Sequence, residues 1–384
     1  MSEVLELLAD PADAARFLDS IRGEPLVAVD TEAASFHRYH DRIYLIQVST
    51  RSRTAVLDPL VVPDLTLLGR ILLEPGTELL FHDADYDLRI LDRDYGFRAR
   101  NIFDTRIAAQ LLNEPGIGLA ALLEKYFGVR LDKKYQRADW SRRPLTPEML
   151  AYAASDTRYL PALRDLLQQR LVEQGRWSWA EEEFALLEQV RWSEPGPPEE
   201  AFLRLKGART LKGRGLAVLR ALYAWREQTA RGLDRATFRV LGNETLLALA
   251  ERQPKDRAGL QGIPGLSSDG VARRGDELLA AIAEGLAADP DSIPAIERGR
   301  RPLRDPEFDA LVERLKAVRN AAAQRLDLAT GVLCPNATVE GIARIKAKSS
   351  EEMRTVPGIR RWQVEVLGEE FLRVLVTADS RSAG

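Results

Sequence analysis

An internal repeat limits this chain more than any other feature of its sequence. Moving the segment that begins at Arg226 forward by 93 positions, the distance from 226 to 319, lays it without a gap on the segment that begins at Arg319. Leu233-Asp234 then meets Leu326-Asp327, Ala236-Thr237 meets Ala329-Thr330, and Asn243 meets Asn336. Further on, Ile263-Pro264-Gly265-Leu266 meets Val356-Pro357-Gly358-Ile359. Agreement over about forty residues means that one structural unit is used twice. Both copies have helical periodicity and short loops, so residues 203–288 and 306–378 are expected to be two small helical domains. A linker containing Pro and Arg, Asp289 to Pro306, joins them.

The half before the repeat is built differently. Leu26-Val27-Ala28-Val29 is a run of small and β-branched apolar residues that ends in Asp30-Thr31-Glu32, the pattern of a buried strand emerging into a polar site. Side chains two apart on a strand share a face, so Asp30 and Glu32 project together and repel unless a cation lies between them. Such a pair also occurs at solvated strand ends, and its weight depends on the acids that follow. Strands are expected at Ile43 to Ser49, Arg53 to Leu57, Leu79 to His82 and Ile102 to Thr105. Helices are expected at Ala12 to Ile21, Leu65 to Leu73, Asp87 to Tyr95, Arg106 to Leu112 and Leu119 to Phe127, with one long helix from Pro147 to Leu171 and another from Trp177 to Val190. Hairpins followed by alternating strands and helices describe an α/β domain with a mixed sheet. The Pro- and Gly-rich stretch Ser193 to Pro198 closes it, giving a first domain over residues 1–194.

Two more acids stand out. Asp87 follows a buried strand at the start of a helix, where an acid also complements the helix dipole. Tyr152 and Asp156 are four apart on a helix and share a face that is otherwise apolar, where an unpaired carboxylate is costly. Two acids on one strand, one after another strand and one on a helix match the layout of a two-metal phosphoryl-transfer site. Mg²⁺ or Mn²⁺ suits an all-oxygen set. With three histidines and one cysteine, Cys334, neither a zinc site nor an internal disulfide is expected. The formal net charge of −3 argues against a general nucleic-acid coat protein but leaves room for local basic patches. The acidic segment Met1 to Asp10 lacks a basic, apolar leader, and no run of 18 apolar residues occurs, so a cytoplasmic protein is expected.

The motifs together carry a family resemblance. Val-Asp-Thr-Glu (29–32), His-Asp-Ala-Asp-Tyr-Asp-Leu (82–88), Phe-Asp-Thr (103–105), Asp-Trp-Ser-Arg-Arg-Pro-Leu (139–145) and Tyr-Ala-Ala-Ser-Asp (152–156) resemble those of the DEDD exonuclease superfamily, in the subgroup whose last motif is Tyr-x-x-x-Asp. The resemblance is greatest to the ribonuclease D family. Trp225-Arg226-Glu227 and Gln261 to Leu266 resemble the signature of HRDC domains, which occur in that family and in RecQ helicases. This resemblance implies a ribonuclease H-like exonuclease domain followed by two all-α HRDC-like domains. It implies a metal-dependent 3′–5′ exoribonuclease that releases nucleoside monophosphates from RNA with a single-stranded 3′ end, such as tRNA precursors, with a monomer as the expected form. Asp30, Glu32, Asp87 and Asp156 would bind two divalent ions, and Tyr152 would orient the attacking water or help to deprotonate it, with positioning favoured because a phenol holds its proton to high pH. Asp83 and Asp85 crowd the second motif, and Asp87 is preferred because it directly precedes Leu88.

Two groups of residues are candidates for RNA contact. Trp140, Arg142 and Arg143 precede the catalytic helix and could stack on bases or hold phosphates, or could instead simply pack and pair within their loop. Arg209, Lys212 and Arg214 belong to an acid-free basic strip between Ala201 and Arg226, which could equally be a solvated helix face. Trp177, Trp179 and Trp192 are expected to pack between domains. A DNA exonuclease and a non-catalytic nucleic-acid scaffold remain alternatives, since nothing in the sequence reports contact with a 2′-hydroxyl.

Overall fold

The computed structural model describes residues 4–211, 214–289 and 305–382. Lys212 and all but the ends of the linker expected from Asp289 to Pro306 lie outside these residues. The first half runs β1 (Val4–Leu8), α1 (Pro11–Ser20), β2 (Leu26–Ala33), β3 (Ile43–Ser49), β4 (Arg53–Leu57), α2 (Thr66–Ile71), β5 (Glu78–Phe81), α3 (Asp85–Tyr95), β6 (Ile102–Asp104), α4 (Thr105–Leu111) and α5 (Leu119–Phe127). It ends with α6 (Pro147–Arg158), α7 (Leu160–Glu173) and α8 (Trp177–Leu187). The six strands form one mixed sheet in the order β1-β4-β3-β2-β5-β6. β2 is the switch, antiparallel to β3 and parallel to β5.

Alternation along β2 sorts its side chains onto two cores. Val27 and Val29 join Phe17, Leu68 and Leu91 under α1, α2 and α3, while Leu26 and Ala28 join Ala108, Leu163 and Phe184 under α4, α7 and α8. Two expectations change. The acidic N-terminal segment supplies an edge strand, β1, which pairs in parallel with β4 from Val4↔Arg53 to Leu8↔Leu57. The long helix expected from Pro147 to Leu171 is two helices that meet at Tyr159, because Pro161 has no N–H to give the preceding turn and opens α7 instead. The break lets α6 lie across β2, β3 and β4 while α7 packs against α4.

The second half contains the repeat. The first copy comprises α9 (Arg214–Gly232), α10 (Thr237–Val240), α11 (Asn243–Arg252), α12 (Arg257–Leu260) and α13 (Ser268–Ala287). The second comprises α14 (Pro306–Arg325), α15 (Thr330–Leu333), α16 (Asn336–Ile345), α17 (Ser350–Arg354) and α18 (Arg361–Ser382). The equivalence extends to single atoms. Buried Arg226 donates to the Leu241 carbonyl at 3.3 Å and to Asn243 Oδ1 at 2.7 Å, and buried Arg319 donates to the Cys334 carbonyl at 3.0 Å and to Asn336 Oδ1 at 2.7 Å. Asp234 and Asp327 both hold left-handed turns, with φ of 42° and 48°.

Both copies lean on the first half through that turn. Asp234 accepts the backbone N–H of Tyr39 and His40, while Asp327 accepts the Asn113 amide and Arg176 donates to the Leu326 carbonyl. Trp179 stacks on Trp362 at 4.7 Å, an interdomain contact of the expected kind. Among the described residues no helix is long and apolar enough to cross a membrane.

Candidate active site

The candidate site opens where β2 outruns its neighbour. β5 pairs with β2 only as far as Ala28↔Leu80, and beyond that the strands part to leave a crevice at the sheet's switch point. Asp30 and Glu32 extend into it from one face of β2, and Asp156 comes down from α6. One carboxylate oxygen from each of these three lies within 4.8 Å of the other two. They line a cavity of about 630 Å³ together with Asp87 and Tyr152.

Asp87 approaches from the other side. Thr31 points away from Asp30 and Glu32, towards α3, and its backbone N–H donates to Asp87 Oδ1 at 3.0 Å while its hydroxyl donates to the same oxygen. Of the other two acids of this turn, Asp83 sits exposed at the cavity's rim, tied to Arg106, and Asp85 lies outside the cavity, tied to Arg89. The fold thus separates three acids that spacing alone leaves close together, and Asp87 is the buried one.

Burial and mutual repulsion dominate the electrostatics. The Asp30 carboxyl is held well above the usual range by burial first, then by Asp87, Asp156 and Glu32. Glu32 is raised by burial, then by Asp156 and Asp87. Burial pushes Asp87 and Asp156 up to about 7, with Thr31 opposing the shift at Asp87 and the Asp87 charge adding to it at Asp156. The charges that act most on Asp30, Glu32 and Asp156 are all those of other carboxylates. Gln47 lies directly opposite Asp30 in the β2–β3 register, and its buried amide has no protein partner. Crowded, mutually repelling carboxylates, all offering oxygen, fit divalent cations such as Mg²⁺ or Mn²⁺. The Tyr152 phenol is pushed up by burial and then by Asp156, so it keeps its proton and acts as a donor.

The expected RNA contacts divide. Trp140 is 1 % exposed and stacks on Tyr152 at 6.1 Å, so it braces the cavity wall and cannot reach a base. Arg143 is committed to Asp58 and to the carbonyls of Trp140 and Tyr44, which fixes the loop to the sheet. Arg142 stays exposed beside Asp139. Arg214 donates to the Leu286 carbonyl within its own helical unit, and Arg209 is exposed; neither lines this cavity.

Three supporting residues carry no strong local signal. Thr31 acts through contacts to Asp87 that depend on the fold, and Gln47 is marked only by its place opposite Asp30 in the sheet register. Asp104, in the Phe-Asp-Thr motif, accepts the backbone N–H of Ala84 at 2.7 Å while capping α4 at Arg106 and Ile107, and so pins the turn that presents Asp87. A capping acid right after a strand was the available clue.

Known proteins agree with this geometry. Residues 5–172 match the family described as "3'-5' exonuclease", and residues 215–282 and 308–375 each match the HRDC domain. The chain is 31 % identical to a ribonuclease D of Granulibacter bethesdensis, over 95 % of this chain and 91 % of that one. It is 32 % identical to a ribonuclease D of Nitrobacter hamburgensis, over 96 % and 94 %. Its fold is similar to the crystal structure of Escherichia coli RNase D, described as an exoribonuclease involved in structured RNA processing, with a TM-score of 0.71, 25 % identity and coverage of 98 % and 99 %. On this sequence similarity, the chain belongs to the ribonuclease D family.

Proposed function

We infer that the protein is a divalent-metal-dependent 3′–5′ exoribonuclease that removes nucleoside 5′-monophosphates one at a time. The substrate is RNA with a single-stranded 3′ end, and structured precursors such as those of tRNA are the proposed source. The observation that carries this is the convergence of Asp30, Glu32 and Asp156 within 4.8 Å, where burial and mutual repulsion raise all three carboxyls. Family membership supports it. Catalysis is assigned to residues 1–194, and residues 203–288 and 306–378 are the two helical domains.

Asp30, Glu32 and Asp156 would hold one Mg²⁺ or Mn²⁺, and Asp87, the charge that acts most on Asp30, would hold a second together with Asp30. Such ions make water easier to deprotonate and neutralise charge that develops on the leaving oxygen. The chain's own residues supply position. Tyr152, still protonated and braced by Trp140 and Tyr135, donates a hydrogen bond that orients the attacking water. Thr31 sets the direction of Asp87. His82, whose pKa burial lowers to about 4, lines the cavity as a neutral imidazole and adds no positive charge at neutral pH. Water gives up a proton as it forms a bond to the last phosphorus, the bond to the preceding 3′ oxygen breaks, and that oxygen takes up a proton to leave a new 3′ hydroxyl.

Incubating the protein with 3′-extended RNA and Mg²⁺ or Mn²⁺ tests this, with matched DNA in parallel. Stepwise shortening that is abolished by chelation and by Asp30→Ala is expected. No shortening, or equal shortening by the variant, overturns the assignment.

A further inference from the structure

The repeat provides an internal control for what each helical unit does with its surface. In the first copy, Trp225, Arg235, Phe238, Arg239, Arg273 and Arg274 line a cleft of about 460 Å³. The same shift of 93 positions places Val318, Leu328, Gly331, Val332, Val366 and Leu367 at these sites in the second copy. There the face is apolar, and all of these except Gly331 lie in the hydrophobic cluster that also holds Trp177, Trp179 and Phe184 of α8. One copy therefore keeps this face apolar and largely covered, with Leu328 and Leu367 buried and Val318, Val332 and Val366 half-buried, and the other keeps it open and basic.

The open face adjoins the catalytic cavity. Phe36 and Arg137 line that cavity, and the Phe36 ring meets Phe238 edge-on at 5.9 Å. Both rings are solvent-exposed, Phe36 by 42 % and Phe238 by 52 %. Arg137 lies over the Phe36 ring at 4.9 Å, and Arg239 lies over Phe238 while donating to the Phe36 carbonyl. Phe238 and Arg239 also line the basic cleft, so the two openings share a wall. Glu277, the one acid lining the cleft, is occupied by Trp225 Nε1 at 3.0 Å and by Arg274 at 3.6 Å. Exposed rings flanked by guanidinium groups and followed by a basic cleft suit a polynucleotide whose bases are unpaired, because any base can stack and each phosphate adds charge.

We propose that single-stranded RNA leaving the catalytic cavity crosses the Phe36–Phe238 ring pair and lays its phosphates along Arg235, Arg239, Arg273 and Arg274. The track presupposes the exoribonuclease activity inferred above. The basic strip around Arg209 and Arg214, which sequence alone favours, lines neither opening.

The test uses the full chain, an eight-nucleotide single-stranded RNA and an RNA dinucleotide too short to reach the rings. The ratio of kcat/KM on the longer substrate to that on the dinucleotide is expected to fall about tenfold for Phe238→Ala, the size of one lost stacking contact, and to recover in Phe238→Tyr. Arg273→Ser with Arg274→Ser is expected to lower the ratio similarly and to reduce the salt dependence of binding by about one power of salt concentration. Ratios equal to the parent's in both variants overturn the proposal, as does a loss confined to Arg209→Ser with Arg214→Ser. Binding of the labelled eight-nucleotide RNA without divalent cation should rank the variants in the same order. A parent that binds RNA with this ranking yet shortens none overturns the activity and leaves the track standing.

Discussion

Thr31 holds Asp87 across the crevice at 3.0 Å through its backbone N–H, although its two chain neighbours, Asp30 and Glu32, face the opposite way. Strand alternation and the end of the β5 pairing together produce this arrangement. The N–H freed beyond Ala28 finds an acceptor in the first turn of α3.

Thr31→Val keeps the N–H and removes the hydroxyl. A loss of about 1 kcal/mol in stability is expected, with kcat on RNA down about tenfold and KM little changed, because Asp87 would lose its direction while substrate contacts persist. Thr31→Ser should restore kcat. Steady-state hydrolysis of a short RNA checks both.

Metal-free protein should be more stable at low pH. Asp87 and Asp156 have folded-state values of about 7, above those of an unfolded chain, so the folded form binds extra protons. That stabilisation is fully present below the ordinary carboxylate range near pH 4 and is lost as pH rises through about 7. With a chelator present, the melting temperature is expected to fall between pH 5 and pH 8. Mn²⁺ should remove most of the fall, and Asp156→Asn should shrink it. Thermal melts across pH settle the sign.

Asp30→Asn should abolish RNA shortening and yet raise the melting temperature of the metal-free protein by a few degrees, since it removes one of the mutually repelling carboxylates. The variant should also gain less stability from Mn²⁺ than the parent does. Activity and melting measured on one preparation check the opposed effects.

Trp140→Ala should lower kcat more than it raises KM, because the indole braces Tyr152 and does not face the substrate. A stability cost of roughly 3 kcal/mol accompanies loss of so large a buried ring. Trp140→Phe should recover much of both. A rise in KM with kcat intact would instead put the ring against RNA.

Breaking the stack of Trp179 on Trp362 by Trp362→Ala should loosen the second helical unit from α8. The hydrogen bond from its indole to Glu183 is lost at the same time. Faster amide exchange in α14 to α18, with much smaller change in β2 and β3, is the expected pattern.

Much of the architecture is legible in the sequence. The 93-residue repeat announced two copies of one helical unit, and even the paired contacts of Arg226 and Arg319 follow from it. The two-residue spacing of Asp30 and Glu32 fixed their shared face, and the four-residue spacing of Tyr152 and Asp156 did the same on α6. The role of Trp140 was not readable, because an aromatic beside two arginines has the same spelling whether it stacks on a base or on a tyrosine. The open basic face of the first unit was equally hidden, since Arg235, Arg239, Arg273 and Arg274 are dispersed in the chain and meet only when α13 folds back along α9.

The sequence by itself determined most of the elements, the repeat and which acids share a strand face or a helix face, because these depend on backbone periodicity over a few residues. Tertiary structure alone decided that Thr31 serves Asp87, that Asp87 is the buried acid of its turn, and that one copy of the repeat covers much of the face the other exposes. Those outcomes depend on contacts between segments tens to more than a hundred residues apart, which arise only when strands end, helices break and surfaces compete for burial.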